Sequence, residues 1–534
     1  MPNLQQLFQN AVTSHQTGDI DVASQLYRAV LSEDPHHADA LHMLGIIAQQ
    51  KNNTALALKL TEASLAIKPE LALAWYNRSL MLRTMNRIPD ALYSVQQALV
   101  HDAQLGDAWD MAGTLWRESG NLDEAARHHA RAVEIQPGNA RYRSNYAILQ
   151  MSRGDLIGAY EAVRESERLD VDCISFALGN VLRASGHTER AIPYYQRVSR
   201  LVPDSAEAHM NEAMAWLQIG ELERAWEIWK KLPDDAEILR RIPRWNGEKV
   251  PHLLLHEEQG MGDALQCLRY IPLIRDRANK ITLRLNAALQ KLVAHNFPDI
   301  QVITLDNPLP QADARIQLMQ LPAMLGTNLD NIPSQIPYLH LDEKWRVPWT
   351  ERLSAVKTPR IGFVWAGNPG HRNNHNRSLI LQQLKPLLDA VEGHGISLQK
   401  WREKDVAGLD VFKLFDADPY LDDFSATTGL IAELDLIVTV DTSVAHLAGA
   451  LGKPVWVMLP FDPDWRWMLG REDSPWYPTM RLFRQTAPKN WDSVFLPMAK
   501  DLQKFLQGDV SVLKPKIWTG PPLRQSPNAL RLDK

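Results

Sequence analysis

Three short polar stretches of this sequence carry residue types suited to binding and chemistry. In VDTSVAHLAGALGKPVWVMLP, residues 440–460, Asp441, Thr442, Ser443 and His446 interrupt two apolar runs. If Thr442 or Ser443 starts a helix, the free N–H groups of its first turn form an anion site. His446 follows Thr442 by four residues, so the two share a helix face. In EEQGMGDALQCLRY, Gly260 and Gly262 allow a tight turn and close approach of a ligand to backbone. Asp263 then stands at a helix start, either as a plain cap or as a carboxylate able to take a proton from an acceptor hydroxyl. In WAGNPGHRNNHNRS, Asn368, Arg377 and Ser378 belong to a glycine-bearing, locally basic loop. Backbone N–H groups with an arginine suit a diphosphate, because a guanidinium bonds phosphate oxygens in pairs.

Three competing motifs fall short. The loop at Gly260 misses the dinucleotide fingerprint: its third glycine would fall at Leu265, and Asn286 replaces the acidic residue after the second strand. A nicotinamide or flavin cofactor is therefore not expected. His371 and His375 are four apart, which invites zinc, but the segment lacks a helical apolar face and a third ligand. Asp462-Pro463-Asp464 fits D-x-D, a three-letter match read as chance. No metal is expected.

The elements that must position these loops alternate. Strands are expected at His252–Glu257, Ile281–Leu285, Ile300–Leu305, Arg360–Ala366, Ile396–Gln399, Leu436–Val440 and Val455–Leu459. Helices are expected at Asp263–Arg277, Leu381–Val391, Ala426–Leu434 and Asp492–Leu506. Asp306–Glu343 reads as proline-rich and irregular. Strand–helix alternation points to parallel sheets with helices on both faces. Two such units in tandem, 251–345 and 346–509, suggest doubly wound domains with a cleft between them. The tail, 510–534, reads as loosely held.

The first part of the chain is periodic. Trp75 and Trp109, and Pro35 and Pro69, recur after 34 residues. Gly18, Gly120, Gly154, Gly186 and Gly220 share one phase; Ala23, Ala57, Ala91, Ala125, Ala159, Ala191 and Ala225 share another. The glycine ends one helix, the alanine lets the next pack closely, and proline closes the repeat. This resembles the tetratricopeptide repeat, an α-solenoid superhelix, with about seven units over residues 1–233 and a junction at 234–250. Its concave surface would take a protein or peptide. Asn77, Asn145 and Asn211 share an inward phase, either as scattered amides or as a ladder for a peptide backbone.

Bulk properties exclude little. The 534 residues carry a net charge of -5, with no global drive toward nucleic acid or acidic membranes. Two cysteines do not make a disulfide framework, and no apolar run approaches bilayer length. The start, MPNLQQLFQN, shows no signal-peptide pattern, so a cytoplasmic chain is expected.

The segment VDTSVAHLAGALGKPVWVMLP resembles the donor-binding segment of the lipopolysaccharide heptosyltransferases, with D-T-x-x-x-H followed by a small-residue helix and G-x-P. EEQGMGDALQ resembles that family's first loop, and WAGNPGHRNNHNRS stands where its phosphate loop falls. The resemblance covers about residues 250–505. The overall layout resembles the protein O-GlcNAc transferases. The resemblance implies a GT-B fold of two Rossmann-like domains and an inverting, metal-independent transfer. A nucleotide sugar, an ADP-linked one among the candidates, would be substrate, and no cofactor is implied. Asp263 would be the general base. Gly260, Gly262, Asn368, Arg377, Ser378, Asp441, Thr442, Ser443 and His446 would hold the donor, with Glu403 near the ribose. A binding scaffold with an inactive transferase-like half is the alternative.

Overall fold

The computed structural model describes residues 4–166, 172–232, 237–258, 260–371, 373–400 and 406–532. Compactness divides the chain into two units, Met1–Val181 and Leu182–Lys534.

Fourteen helices precede the first strand among the described residues, joined as antiparallel pairs. They are Leu4–Gln16 with Ile20–Glu33, Ala38–Gln50 with Thr54–Ile67, and Ala72–Thr84 with Ile88–His101. Gly106–Glu118 with Leu122–Ile135 and Ala140–Arg153 with Leu156–Ser166 follow. Asp172–Ala184 with Thr188–Leu201 and Ala206–Gln218 with Leu222–Trp229 complete the array.

Each pair turns through one left-handed residue. At Gly18, Gly120, Gly154, Gly186 and Gly220 φ is +83° to +87°; at Asn52 and Asn86 it is +58° and +57°. Asparagine is the side chain that tolerates this region best, so the two asparagines keep the phase that glycine marks elsewhere. Helix contact is set by small residues. A Cβ on Gly113 would lie 2.7 Å from the His129 ring, and one on Gly45 would lie 2.7 Å from Thr61 Oγ1.

The repeat pattern reaches Trp229, yet the compact division falls earlier, at Val181/Leu182 within the helix Asp172–Ala184. The last pair packs on the later part of the chain. Trp226 Nε1 donates to Thr327 O at 2.8 Å, and its ring meets Trp465 edge-on at 5.9 Å. Gln218 Nε2 donates to Pro463 O at 2.8 Å.

Among the described residues, ten strands form two parallel sheets. The first holds β1 (Val250–His256), β2 (Ala278–Leu285), β3 (Gln301–Thr304) and β4 (Ala314–Gln317), in the order β3-β2-β1-β4. The second holds β5 (Ile361–Val364), β6 (Gly395–Ser397), β7 (Phe415–Asp416), β8 (Leu436–Val440), β9 (Val455–Leu459) and β10 (Met480–Arg484). Its order is β10-β9-β8-β5-β6-β7. β5, β8 and β9 are buried at every position, as strands covered on both faces must be. Both orders reverse direction beside their first strand, at β1/β4 and at β5/β8. In open parallel sheets, ligands bind outside the carboxyl ends at such a reversal.

Several elements differ from the sequence reading. β4 lies within the stretch read as irregular, and β7 and β10 were not expected; β7 has two residues, and arginines interrupt the apolar runs of β4 and β10. The helix expected at Asp263–Arg277 is α-helical only over Met261–Cys267, then tightens into a 3-10 run to Arg277 around Pro272. Proline lacks the N–H that an α-helix would use there. The segment Leu381–Val391 is broken into three short turns around Pro386.

The tail, expected to be loosely held, is packed on its own unit. Ser526 N donates to Gly186 O at 2.8 Å, Leu530 N to Ser185 O at 3.0 Å, and Glu189 N to Arg524 O at 3.1 Å. Pro522 lies over Gly220 and Leu523 over Gly470, where no side chain stands in the way. Two of these bonds pair tail N–H groups with carbonyls at a helix corner and the third pairs the Glu189 N–H with a tail carbonyl, partners that composition alone does not reveal. No described helix is long and apolar enough to cross a membrane.

Candidate functional site

The loops after β1, β5 and β8 meet at the carboxyl edges of the two sheets, and a residue from the loop after β9 joins them. Arg466 sits at the centre, in the one-turn helix Trp465–Trp467. Its guanidinium donates to Asp263 Oδ1 at 2.5 Å, Asp464 Oδ1 at 2.9 Å and Gln266 Oε1 at 2.5 Å. It also lies over the Trp465 ring, with 4.3 Å to the centroid. Burial works against the charge, but the carboxylates of Asp263 and Asp464 outweigh it and hold Arg466 more firmly protonated than usual.

Asp263 is spent within the chain. Oδ1 takes the Arg466 bond, and Oδ2 accepts the Gly260 N–H at 2.8 Å, closing the first turn of the helix Met261–Cys267. Gly262 serves packing. A Cβ there would lie 2.9 Å from His446 Cδ2 and 3.5 Å from Ser443 Cα, so glycine lets this helix settle against Ser443–Ala450.

Asp441 follows β8 and is 9% exposed. Burial, then the charge of Asp464, push its carboxyl up to about 6, against the pull of Arg377 and Arg466. Arg377 donates to Asp441 O at 2.9 Å and stands 3.8 Å from its carboxylate. The Arg377 guanidinium also presses on Gly367, where a Cβ would lie 2.9 Å from Nη2. Thr442 is the N-cap of the helix Ser443–Ala450 but supplies no side-chain cap; its hydroxyl lies 3.1 Å from that of Thr439. Ser443 and Thr442 are both half-buried.

His446 lies beneath this edge. It is 4% exposed, stacked on Trp467 at 5.6 Å, with Nδ1 2.9 Å from the Tyr477 hydroxyl. Burial, with the charges of Arg466, Arg269 and Arg377, holds its pKa well below the usual histidine value, so it is neutral near pH 7. Its contacts are those of a packed interior ring.

The remaining expected site residues mostly hold turns. Asn368 Oδ1 accepts Gly370 N at 2.9 Å, and Ser378 Oγ accepts Gly367 N at 3.0 Å while donating to Asn374 at 2.6 Å. Glu403 lies outside the described residues. Asp462 and Asp464 diverge: Asp462 faces Arg183 at 3.4 Å and Gln218 at 3.1 Å, Asp464 faces Arg466. Among the described residues no three His, Cys, Asp or Glu side chains gather as a metal site.

In the array, Asn145 Nδ2 donates to Asp110 Oδ2 at 2.8 Å, and Asn77 Nδ2 to His42 Nε2 at 3.1 Å. These amides tie one repeat to the preceding one. Asn211 occupies the equivalent place in Ala206–Gln218 and is half-buried.

Sequence reasoning missed Arg466, Glu258 and Tyr477. A buried charge has no polarity signature of its own. The available signal was an arginine between Trp465 and Trp467, where aromatic faces shelter a cation.

Comparison with known proteins supports the array. The tetratricopeptide repeat family matches residues 16–72 and 176–232. Protein FlbA of Caulobacter vibrioides is 22% identical over 531 residues, covering 93% of this chain and 83% of that protein. Protein O-mannosyl-transferase TMTC1 of Mus musculus is 23% identical over 136 residues, only 25% of this chain and 14% of that protein. A solved tetratricopeptide repeat protein from Parabacteroides merdae is 19% identical, covers 45% of this chain and 96% of its own, and superposes with a TM-score of 0.39. The chain thus carries tetratricopeptide repeats followed by a region of parallel sheets.

Proposed function

We propose that this protein is a glycosyltransferase of the two-domain GT-B type that moves a sugar from a nucleotide-sugar donor to a protein or peptide. Tetratricopeptide repeats favour protein partners, and the array would recruit the acceptor. The observation that carries the reading is the convergence of Asp263, Arg377, Asp441 and His446, from three separate loops, around Arg466 at two topological reversals.

In this reading the donor diphosphate lies between Arg377 and the start of Ser443–Ala450, where helix N–H groups and a guanidinium neutralise the departing charge. The acceptor oxygen attacks the anomeric carbon, and the bond to the diphosphate oxygen breaks with its electron pair. The hydroxyl proton passes to a carboxylate at the edge of the first sheet. His446 and Trp467 form the floor. The mutual pairing of Asp263, Asp464 and Arg466 favours a second reading, a scaffold whose transferase-like half no longer turns over.

Thermal shift with ADP-, GDP-, UDP- and dTDP-sugars, together with slow donor hydrolysis, separates the two. The transferase reading expects one nucleotide class to raise Tm and release free sugar. Stabilisation by none of them leaves the scaffold.

A further inference from the structure

We infer that Glu258, rather than Asp263, is the group that accepts the proton from the attacking hydroxyl; this rests on the transferase reading above. Glu258 lies two residues beyond β1 and Met319 two beyond β4, at the reversal point of the first sheet. The two strand ends are in register, His256 beside Gln317. Glu258 Oε1 accepts the Met319 N–H at 2.9 Å, which fixes the carboxyl between the strand ends. Oε2 is buried and has no hydrogen-bond partner among the described residues. Buried polar atoms are mostly paired, and this unpaired carboxyl oxygen stands at the strand-end reversal where open parallel sheets bind ligands. Asp263 has the opposite character, with both oxygens engaged by Arg466 and Gly260.

The carboxyl has the proton affinity the task requires. Burial pushes it up to about 8, helped by Asp263 and Glu257 and opposed by the backbone N–H groups of Met319 and Leu318. A base works best when its pKa lies near the working pH. Arg466, whose Nη2 lies 3.6 Å from Met319 Sδ, and Cys267, whose Sγ lies 3.4 Å from the same sulfur, complete the surroundings. In the step, the acceptor O–H bond breaks, its proton goes to Glu258 Oε2, and the oxygen bonds the anomeric carbon. The electron pair of the broken glycosidic bond leaves on the nucleoside diphosphate. Asp263 holds Arg466 in place and moves no proton.

The test uses the full chain and whichever of the four nucleotide sugars raises its Tm, with water as acceptor. Glu258→Gln keeps the Met319 bond. It is expected to keep the donor-induced Tm shift, to lose at least ~10²-fold in hydrolysis, and to lose the rise in rate through about pH 8. Asp263→Asn is expected instead to shrink the Tm shift while the rise with pH persists in the residual rate. Hydrolysis by Glu258→Gln within threefold of wild type, with the rise intact, overturns the assignment. A wild-type protein stabilised by none of the four donors overturns the transferase reading itself, and the role of Glu258 with it. Should Glu258→Gln fold poorly, a carbon-13 titration of the wild-type glutamates decides: a carboxyl titrating near pH 8 supports the inference, and none above pH 6 overturns it.

Discussion

The helical array and the sheet edges bury polar groups in different ways. In the array, Asp110 is 4% exposed and its carboxylate is satisfied twice, by His129 Nδ1 at 3.0 Å and by Asn145 at 2.8 Å. These partners come from the same or the next repeat, so the same geometry returns with the period. At the sheet edges the partners come from far apart in the chain, and Arg466 reaches across from the loop after β9 to Asp263. Its neighbour Asp441 keeps a raised pKa, and Glu258 Oε2 has no hydrogen-bond partner among the described residues. In the array the carboxylate of Asp110 is satisfied by neighbours close in sequence, while the atoms without a partner among the described residues include ring and hydroxyl atoms such as His129 Nε2 and Tyr27 Oη. At the sheet edges carboxyl groups themselves are left poised, as ligand sites require.

Arg466→Met should sharpen this contrast most. It removes the cation shared by Asp263 and Asp464 and leaves partly buried carboxylates facing one another. The expected loss is about 3–5 kcal/mol in chemical denaturation, with loss of any donor-induced Tm shift. An Arg466→Met protein of unchanged stability would mean the cluster is solvated and ordinary.

Gly113→Ala probes the array alone. The new methyl meets the His129 ring, and the helix pair must part, costing about 1–3 kcal/mol by denaturant midpoint. Donor-induced stabilisation should be unchanged, since only the array is touched. A lost donor shift would break the division of labour between the two regions.

Asp441→Asn should act with the smallest magnitude and the opposite sign. A carboxyl with a folded pKa near 6, above its unfolded value of 3.8, favours the protonated form in the fold. The folded state then binds more protons than the unfolded one between these values, so stability falls as pH rises through them. Asparagine removes that penalty. A gain of about 1–2 kcal/mol is expected at pH 7–8, shrinking to nothing below about pH 4, with weaker donor binding. Equal stability of the two proteins across this range would remove the claim that Asp441 is held at a cost.

Much of the fold was legible because its signals are local. A 34-residue recurrence of Gly18, Gly120 and their equivalents marks helix pairs, and the runs Leu436–Val440 and Val455–Leu459 are strands wherever the chain goes. The signals failed where length or context mattered. Ala314–Gln317 is too short for a pattern, Pro272 converts the later helix turns to 3-10, and the tail depends on carbonyls at Ser185 and Gly186 that only the folded array presents.

The candidate site divides in the same way. Its loops were visible as polar interruptions between apolar strands, and Asp263, Arg377, Asp441 and His446 were visible within them. What each does was not. His446 is a buried ring on Trp467, Gly262 a contact surface, and Asp263 a partner of Arg466. The sequence by itself determined the repeat period, the strand runs and the polar turns, because each follows from backbone preference and the burial of near neighbours. Only the tertiary structure decided that Arg466 crosses to Asp263 and that Glu258, between β1 and β4, has an oxygen with no partner among the described residues. Those facts depend on which strand ends lie side by side, and no local preference encodes that.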